Sequence, residues 1–182
     1  DDVTNLSLPV NSDIHSTADQ DALKAVFFGL GADGTVGSAK NNVKIIGADE
    51  GRFAQGYFVY DSRKSGGTTI SHLRFADHPI DSPYLIDHAD FVAVHQFELL
   101  SRMSNFQLSK PGATILLNSP YGEDTWNHLP EDLQRAIIDR DLKVWVINAT
   151  KVARDAGMGQ RINTVMQPCF FYLSGVVPRE EA

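Results

Sequence analysis

The chain has 182 residues, 42% of them hydrophobic and 21% charged, a composition that fits one folded globular domain and excludes a disordered chain. Its net charge of −7 repels polyanions and argues against a nucleic-acid role. The single cysteine, Cys169, excludes an internal disulfide framework and any iron–sulfur or four-cysteine metal site built by this chain alone.

Residues 1–20 carry Asp, Asn, Ser and Thr with little periodicity and read as an arm or interdomain linker, lacking the basic start and apolar core of a secretory signal. No apolar run nears the roughly 20 residues that span a bilayer, so no membrane is expected and the cytoplasm is the expected compartment. LKAVFFGL (23–30) predicts a buried first strand that runs straight into a glycine cluster. TVGSAKNNVKIIGADE (35–50) predicts a helix with Val36, Ala39, Val43 and Ile46 at helical spacing and Gly51 as its stop. AQGYFVYD (54–61) and TTISHLRF (68–75) predict a β-ribbon whose tip, SRKSGG, is basic. After a proline-punctuated loop, ADFVAVH (89–95) and ATILLNS (113–119) predict two more strands, the second following the turn signal KPG. Pro130 and EDLQRAIIDRD open as a helix with acids in its first turn, and LKVWVINA (142–149) reads as a strand. In the last element, from Gly157 to Pro178, Met158, Ile162, Val165, Met166, Cys169, Phe170 and Leu173 recur at intervals of three and four, a helical stripe that Pro168 should kink or split. Strands alternating with helices predict a three-layer α/β/α Rossmann-like domain, its sheet mainly parallel and made mixed by the ribbon.

Gly29, Gly31 and Gly34 match G-x-G-x-x-G between a strand and a helix, where backbone N–H groups and the helix dipole attract phosphate. The bland alternative is that the glycines only permit a tight turn. A triphosphate loop is disfavoured, because Thr35 stands where that motif needs lysine. A dinucleotide site wants an acid about 20 residues on, holding the ribose hydroxyls; here the second strand ends later, at Asp61, followed by Ser62, Arg63, Lys64, Ser65, Gly66 and Gly67. Two cations, two hydroxyls and a flexible backbone suit a ligand with an extra phosphate, NADP or coenzyme A, better than NAD; a solvated hairpin tip is the plain alternative. Asn118 and Ser119 end a later strand, where open α/β sheets build their crevice, and could touch a ligand or cap a turn. Cys169 reads as a core thiol, and no H-E-x-x-H, H-x-x-x-H or G-x-S-x-G pattern occurs, so no metal and no catalytic group is expected.

Four blocks, GTVGSAKNNVKIIG, AQGYFVYDSRKSGGTTISHLRF, SPYLIDHADFVAVH and GQRINTVMQPCFFYLSGVVP, together resemble the gamma domain of pyruvate:ferredoxin (flavodoxin) oxidoreductases, in the single-polypeptide form. The resemblance runs from about Ala22 to Pro178, which makes 21–178 the oxidoreductase gamma domain and 179–182 a tail. It implies a parent that decarboxylates pyruvate oxidatively, transfers the acetyl group to coenzyme A and passes electrons to ferredoxin or flavodoxin. It further implies that thiamine diphosphate, Mg and 4Fe-4S clusters belong to the parent's other domains, that the parent is a homodimer, and that this chain alone is inactive. The family's gamma domain covers the active site and helps bind coenzyme A, which puts the pyrophosphate near Gly34, Thr35, Val36, Gly37 and Lys40; Gly31 and the strand-end Asn118 are further candidate cofactor-binding residues. The ribose phosphate then falls near Arg63 and Lys64, with Ser65, Gly66 and Gly67 allowing close approach. A packing module without ligand and an NADP-dependent dehydrogenase are the alternative functions.

Overall fold

A computed structural model describes residues 21–61, 66–102, 106–178 and 180. The strands are β1 Leu23–Leu30, β2 Phe53–Tyr60, β3 Thr68–Ala76, β4 Ala89–Val94, β5 Ser109–Asn118 and β6 Lys143–Ile147; the helices are α1 Thr35–Ile46, α2 Glu131–Asp139, α3 Ala149–Asp155 and α4 Ile162–Ser174. The strands form one sheet in the order β2-β3-β1-β4-β5-β6. β3 runs antiparallel to both β1 and β2, whereas β1, β4, β5 and β6 pair in parallel. The expected mainly parallel, mixed sheet is what forms, and β3 alone reverses direction.

The period of two along the strands sends alternate residues into two cores. Phe27, Phe91, Ala93, Leu73 and Leu116 face α1, α3 and α4, while Val26, Phe28, Val92, Ile115 and Leu117 face α2 and the 3₁₀ turn Phe97–Arg102. These central strands are buried on both faces, which is why they read as continuous apolar runs without alternation. Phe170 of α4, 1% exposed, anchors the first core with edge-on contacts to Phe27 and Phe91 at 5.0 and 5.1 Å between centroids; such pairs add about 0.5–1.5 kcal/mol beyond area burial.

Four local expectations are corrected. Pro168 does not split α4, which runs unbroken from Ile162 to Ser174. Val165 and Met166 before the proline and Phe170 and Phe171 after it are all buried in the same core, and that packing outweighs the roughly 3 kcal/mol of an interior proline. KPG is not a turn between elements but lies inside β5, where the register against β4 jumps between Ala89 and Phe91 and Gly112 takes φ +73°. Helix α1 stops at Ile46 and is capped by Gly47; Gly51, at φ +82°, belongs to the following turn. Its buried face is Thr35, Ser38, Ala39, Asn42 and Ile46, more polar than the expected stripe of Val36, Ala39, Val43 and Ile46. Gln167 Nε2 of α4 donates to Asn42 Oδ1 at 2.6 Å and ties the two helices together. Helix α3 was not expected: its seven residues follow the N-cap Asn148, whose side chain accepts from Lys151 N–H.

Candidate functional site

Strand order reverses between β1 and β4, since β1 continues through α1 to β2 on one side while β4 leads to β5 and β6 on the other. Open α/β sheets bind ligands beyond the strand C-termini at such a switch point. Here the glycine turn, the ends of β4 and β5, and the end of the β2–β3 ribbon converge.

The glycine turn is built from within. Gly29 is required sterically: a Cβ at that position would lie 2.1 Å from Thr35 Oγ1, so only glycine lets the first turn of α1 settle onto β1. Gly34, at φ +88°, is the N-cap, and a Cβ there would meet the Asn163 side chain of α4 at 3.1 Å. Asp33 supplies what the glycines leave open. Its Oδ1 accepts from Thr35 N–H and its Oδ2 from Leu30 N–H, each at 2.8 Å, and Gln96 Nε2 at the end of β4 also donates to Oδ2 at 3.2 Å. A carboxylate of the chain therefore takes the first helical amide, a place where phosphates often sit, and bridges β1 to β4 across the switch point. Sequence reasoning missed Asp33; the signal was an acid inside the turn, two residues before the first helical residue.

The turn and the ribbon meet directly, Gly31 N–H donating to Gly67 C=O at 2.8 Å, and within the ribbon Asp61 N–H donates to Thr68 C=O at 3.0 Å. The glycine turn thus lies beside Gly67, the last residue of the second segment singled out for phosphate. Gly66 is exposed at φ +68° and Gly67 is buried, while Arg63, Lys64 and Ser65 lie outside the described residues. Thr35 is fully buried, Val36 half-buried, and Gly37 and Lys40 exposed on the same helix. Lys40 Nζ stands 5.4 Å over the Phe58 ring of β2, an exposed cation–π contact worth about 0.5–1 kcal/mol.

Asn118 is committed within the fold. Its Nδ2 donates to His95 C=O and its Oδ1 accepts from Ala149 N–H, both at 2.9 Å, so it fastens β5 to the end of β4 and the start of α3. It borders a cleft of about 600 Å³ also lined by Gln96, Tyr121, Asn148 and Arg154. Cys169 packs against the first core, and burial raises its thiol above the ordinary range, the character of an unreactive core thiol. Among the described residues no three His, Cys, Asp or Glu side chains stand close enough to hold a metal ion, and no helix is long and apolar enough to cross a membrane.

Two buried histidines give the domain a pH signature. Burial lowers His95 to a pKa of about 4, against the upward pull of the Asp33 carboxylate, and burial followed by the Arg74 guanidinium lowers His72 to about 4. Both are neutral in the folded state at pH 7. Between pH 6.5 and 4 the unfolded chain binds these protons and the folded chain does not, so their stabilisation is present above pH 6.5 and lost as pH falls toward 4. The melting temperature is expected to drop across that window, and His72→Gln or His95→Gln to flatten the dependence; an unchanged slope in both variants would contradict the assignment.

A family model described as pyruvate ferredoxin/flavodoxin oxidoreductase matches residues 24–182. A pyruvate-flavodoxin oxidoreductase of Rhodospirillum rubrum is 58% identical over the whole chain, and a pyruvate:ferredoxin oxidoreductase of Moorella thermoacetica 48%. The chain spans 15% and 16% of the length of these two relatives. In fold it is similar to the PORC subunit of a pyruvate oxidoreductase from Thermotoga maritima, at TM-score 0.65 and 18% identity over 87% of this chain and 80% of that one. It is also similar to a 2-oxoglutarate:ferredoxin oxidoreductase of Magnetococcus marinus solved with 2-oxoglutarate, coenzyme A and succinyl-CoA, at TM-score 0.64 and 18% identity over 84% of this chain and 24% of that one. A Rossmann-like turn closed by its own aspartate is thus set in a sequence that a single family model covers almost from end to end. On that ground the chain belongs to the pyruvate ferredoxin/flavodoxin oxidoreductase family.

Proposed function

We propose that this chain is the part of a pyruvate oxidoreductase that covers the catalytic centre and helps hold coenzyme A. The parent oxidises pyruvate to acetyl-CoA and carbon dioxide and passes two electrons to ferredoxin or flavodoxin. Thiamine diphosphate, Mg and 4Fe-4S clusters belong to its other domains, and the whole works as a cytoplasmic homodimer. The names of the full-length relatives support the reaction, and the single cysteine of this chain agrees with clusters held elsewhere.

The observation that carries the coenzyme A reading is the Gly31–Gly67 hydrogen bond, which sets the glycine turn beside the end of the ribbon that bears Arg63, Lys64 and Ser65. Because Asp33 already takes Thr35 N–H, the pyrophosphate belongs on the outer side of the first turn, at Val36, Gly37 and Lys40, with Gly31 and Gly34 shaping the turn beneath it. Arg63 and Lys64 hold the ribose phosphate, and Gly66 and Gly67 let the backbone approach. Asn118 acts behind the site, as a positioning residue.

In the full-length enzyme, Arg63→Ala/Lys64→Ala is expected to raise the Michaelis constant for coenzyme A tenfold or more, from about 1.5–3 kcal/mol per charge-assisted contact before screening. A wild-type constant in that variant removes the phosphate role. The second reading, a packing module without ligand, is favoured by the inward commitment of Asp33, Gly34 and Thr35; it predicts no change in that constant.

A further inference from the structure

Among the described residues the parallel half of the sheet ends in an open edge, where β6 pairs only with β5. Ser119 N–H donates to Ile147 C=O at 2.9 Å, which turns the backbone of Ile147 toward β5. By the alternation of a parallel ladder, the N–H and C=O groups of Val144 and Val146 then point away from the sheet. The side chains are as open as the edge: Trp145 is 52% exposed and Val146 38%. With Trp126, 42% exposed, they line a groove of about 430 Å³ between β6 and the 3₁₀ turn Gly122–His128, so both tryptophans of the chain stand in one groove.

Strands of parallel sheets are ordinarily covered, and an unpaired apolar edge invites another strand. Clustered exposed aromatics mark an interaction surface. The chain spans 15% of its Rhodospirillum rubrum relative, so most of such a polypeptide lies outside the residues described and is available to cover the edge. A tethered segment needs little contact area, because its effective concentration is high.

We propose that an extended segment from the remainder of the same polypeptide lies along β6 as a seventh strand. It pairs with the outward N–H and C=O groups of Val144 and Val146 and sets apolar side chains against Trp126 and Trp145. This rests on family membership and the length of the relatives, not on the coenzyme A reading, and its failure would leave the coenzyme A kinetics untouched.

The test is hydrogen exchange at single-residue resolution on the full-length oxidoreductase. Val144 and Val146 amides are expected to exchange at least about a hundredfold slower than free amides, independent of protein concentration. Trp145→Lys is expected to abolish that protection while Ile115 and Leu117 in β5 stay protected. Free exchange at Val144 and Val146 in the wild-type enzyme overturns the proposal without need of the variant. Protection that disappears on dilution also overturns it, since a second copy would then be the occupant.

Discussion

Gly29→Ala is expected to destabilise the domain by about 3 kcal/mol, the upper end for overpacking a filled site. At about 2–4 °C per kcal/mol for a domain of this size, the melting temperature should fall by roughly 6–12 °C. The added methyl would stand 2.1 Å from Thr35 Oγ1 and 2.5 Å from its Cβ, and neither partner can move freely, because Thr35 is fully buried and β1 is paired on both sides. Thr35→Gly in the same chain should recover part of the loss, which separates a clash from a general intolerance of β1. Gly37→Ala makes the contrast. Nothing lies within 4 Å of a Cβ at that exposed helical position, so alanine should stabilise the domain by about 0.5–1 kcal/mol. If Gly37 also lets coenzyme A approach the helix, Gly37→Ala should raise the Michaelis constant of the full-length enzyme while raising the melting temperature. A rise in stability with an unchanged constant would move the pyrophosphate elsewhere.

Asp33→Asn is expected to cost nearly as much as Asp33→Ala, about 1–3 kcal/mol, although it changes one atom in each orientation of the amide. Both carboxylate oxygens accept from N–H donors, Oδ1 from Thr35 and Oδ2 from Leu30 and Gln96. An amide must turn its NH₂ toward one set of donors, which leaves two donors face to face and at least one backbone N–H unpaired. A cap that worked mainly through its charge on the helix would lose only about 0.3–1 kcal/mol on neutralisation to asparagine. Thermal unfolding of the two variants side by side distinguishes the cases: near-equal losses support the bidentate bridge, and a nearly wild-type Asp33→Asn would refute it. Gln96→Ala should show a smaller loss, because it removes one of the three donors and leaves the backbone pair in place.

The sequence by itself determined the elements whose signal is local. LKAVFFGL is β1 to the residue, because a short apolar run of β-formers ending in glycine has few other conformations open to it. ATILLN and KVWVI supply the cores of β5 and β6 for the same reason, and the four sequence blocks carry the family resemblance. The glycine turn was legible as a turn, and the ribbon as its neighbour only by conjecture.

Tertiary structure decided the rest, because the competing energies there are non-local. Pro168 ought to split its helix, yet buried side chains on both sides of it hold α4 together. Thr35, Ser38 and Asn42 ought to face solvent, yet they line the buried face of α1. No periodicity shows that Asp33 closes the turn from inside, since that depends on Leu30 N–H, Thr35 N–H and Gln96 arriving at one point from β1, α1 and β4. Nor could composition show that β6 is an edge strand among the described residues: KVWVI has the residues of a central strand, and its place at the margin follows from the order in which six strands pair.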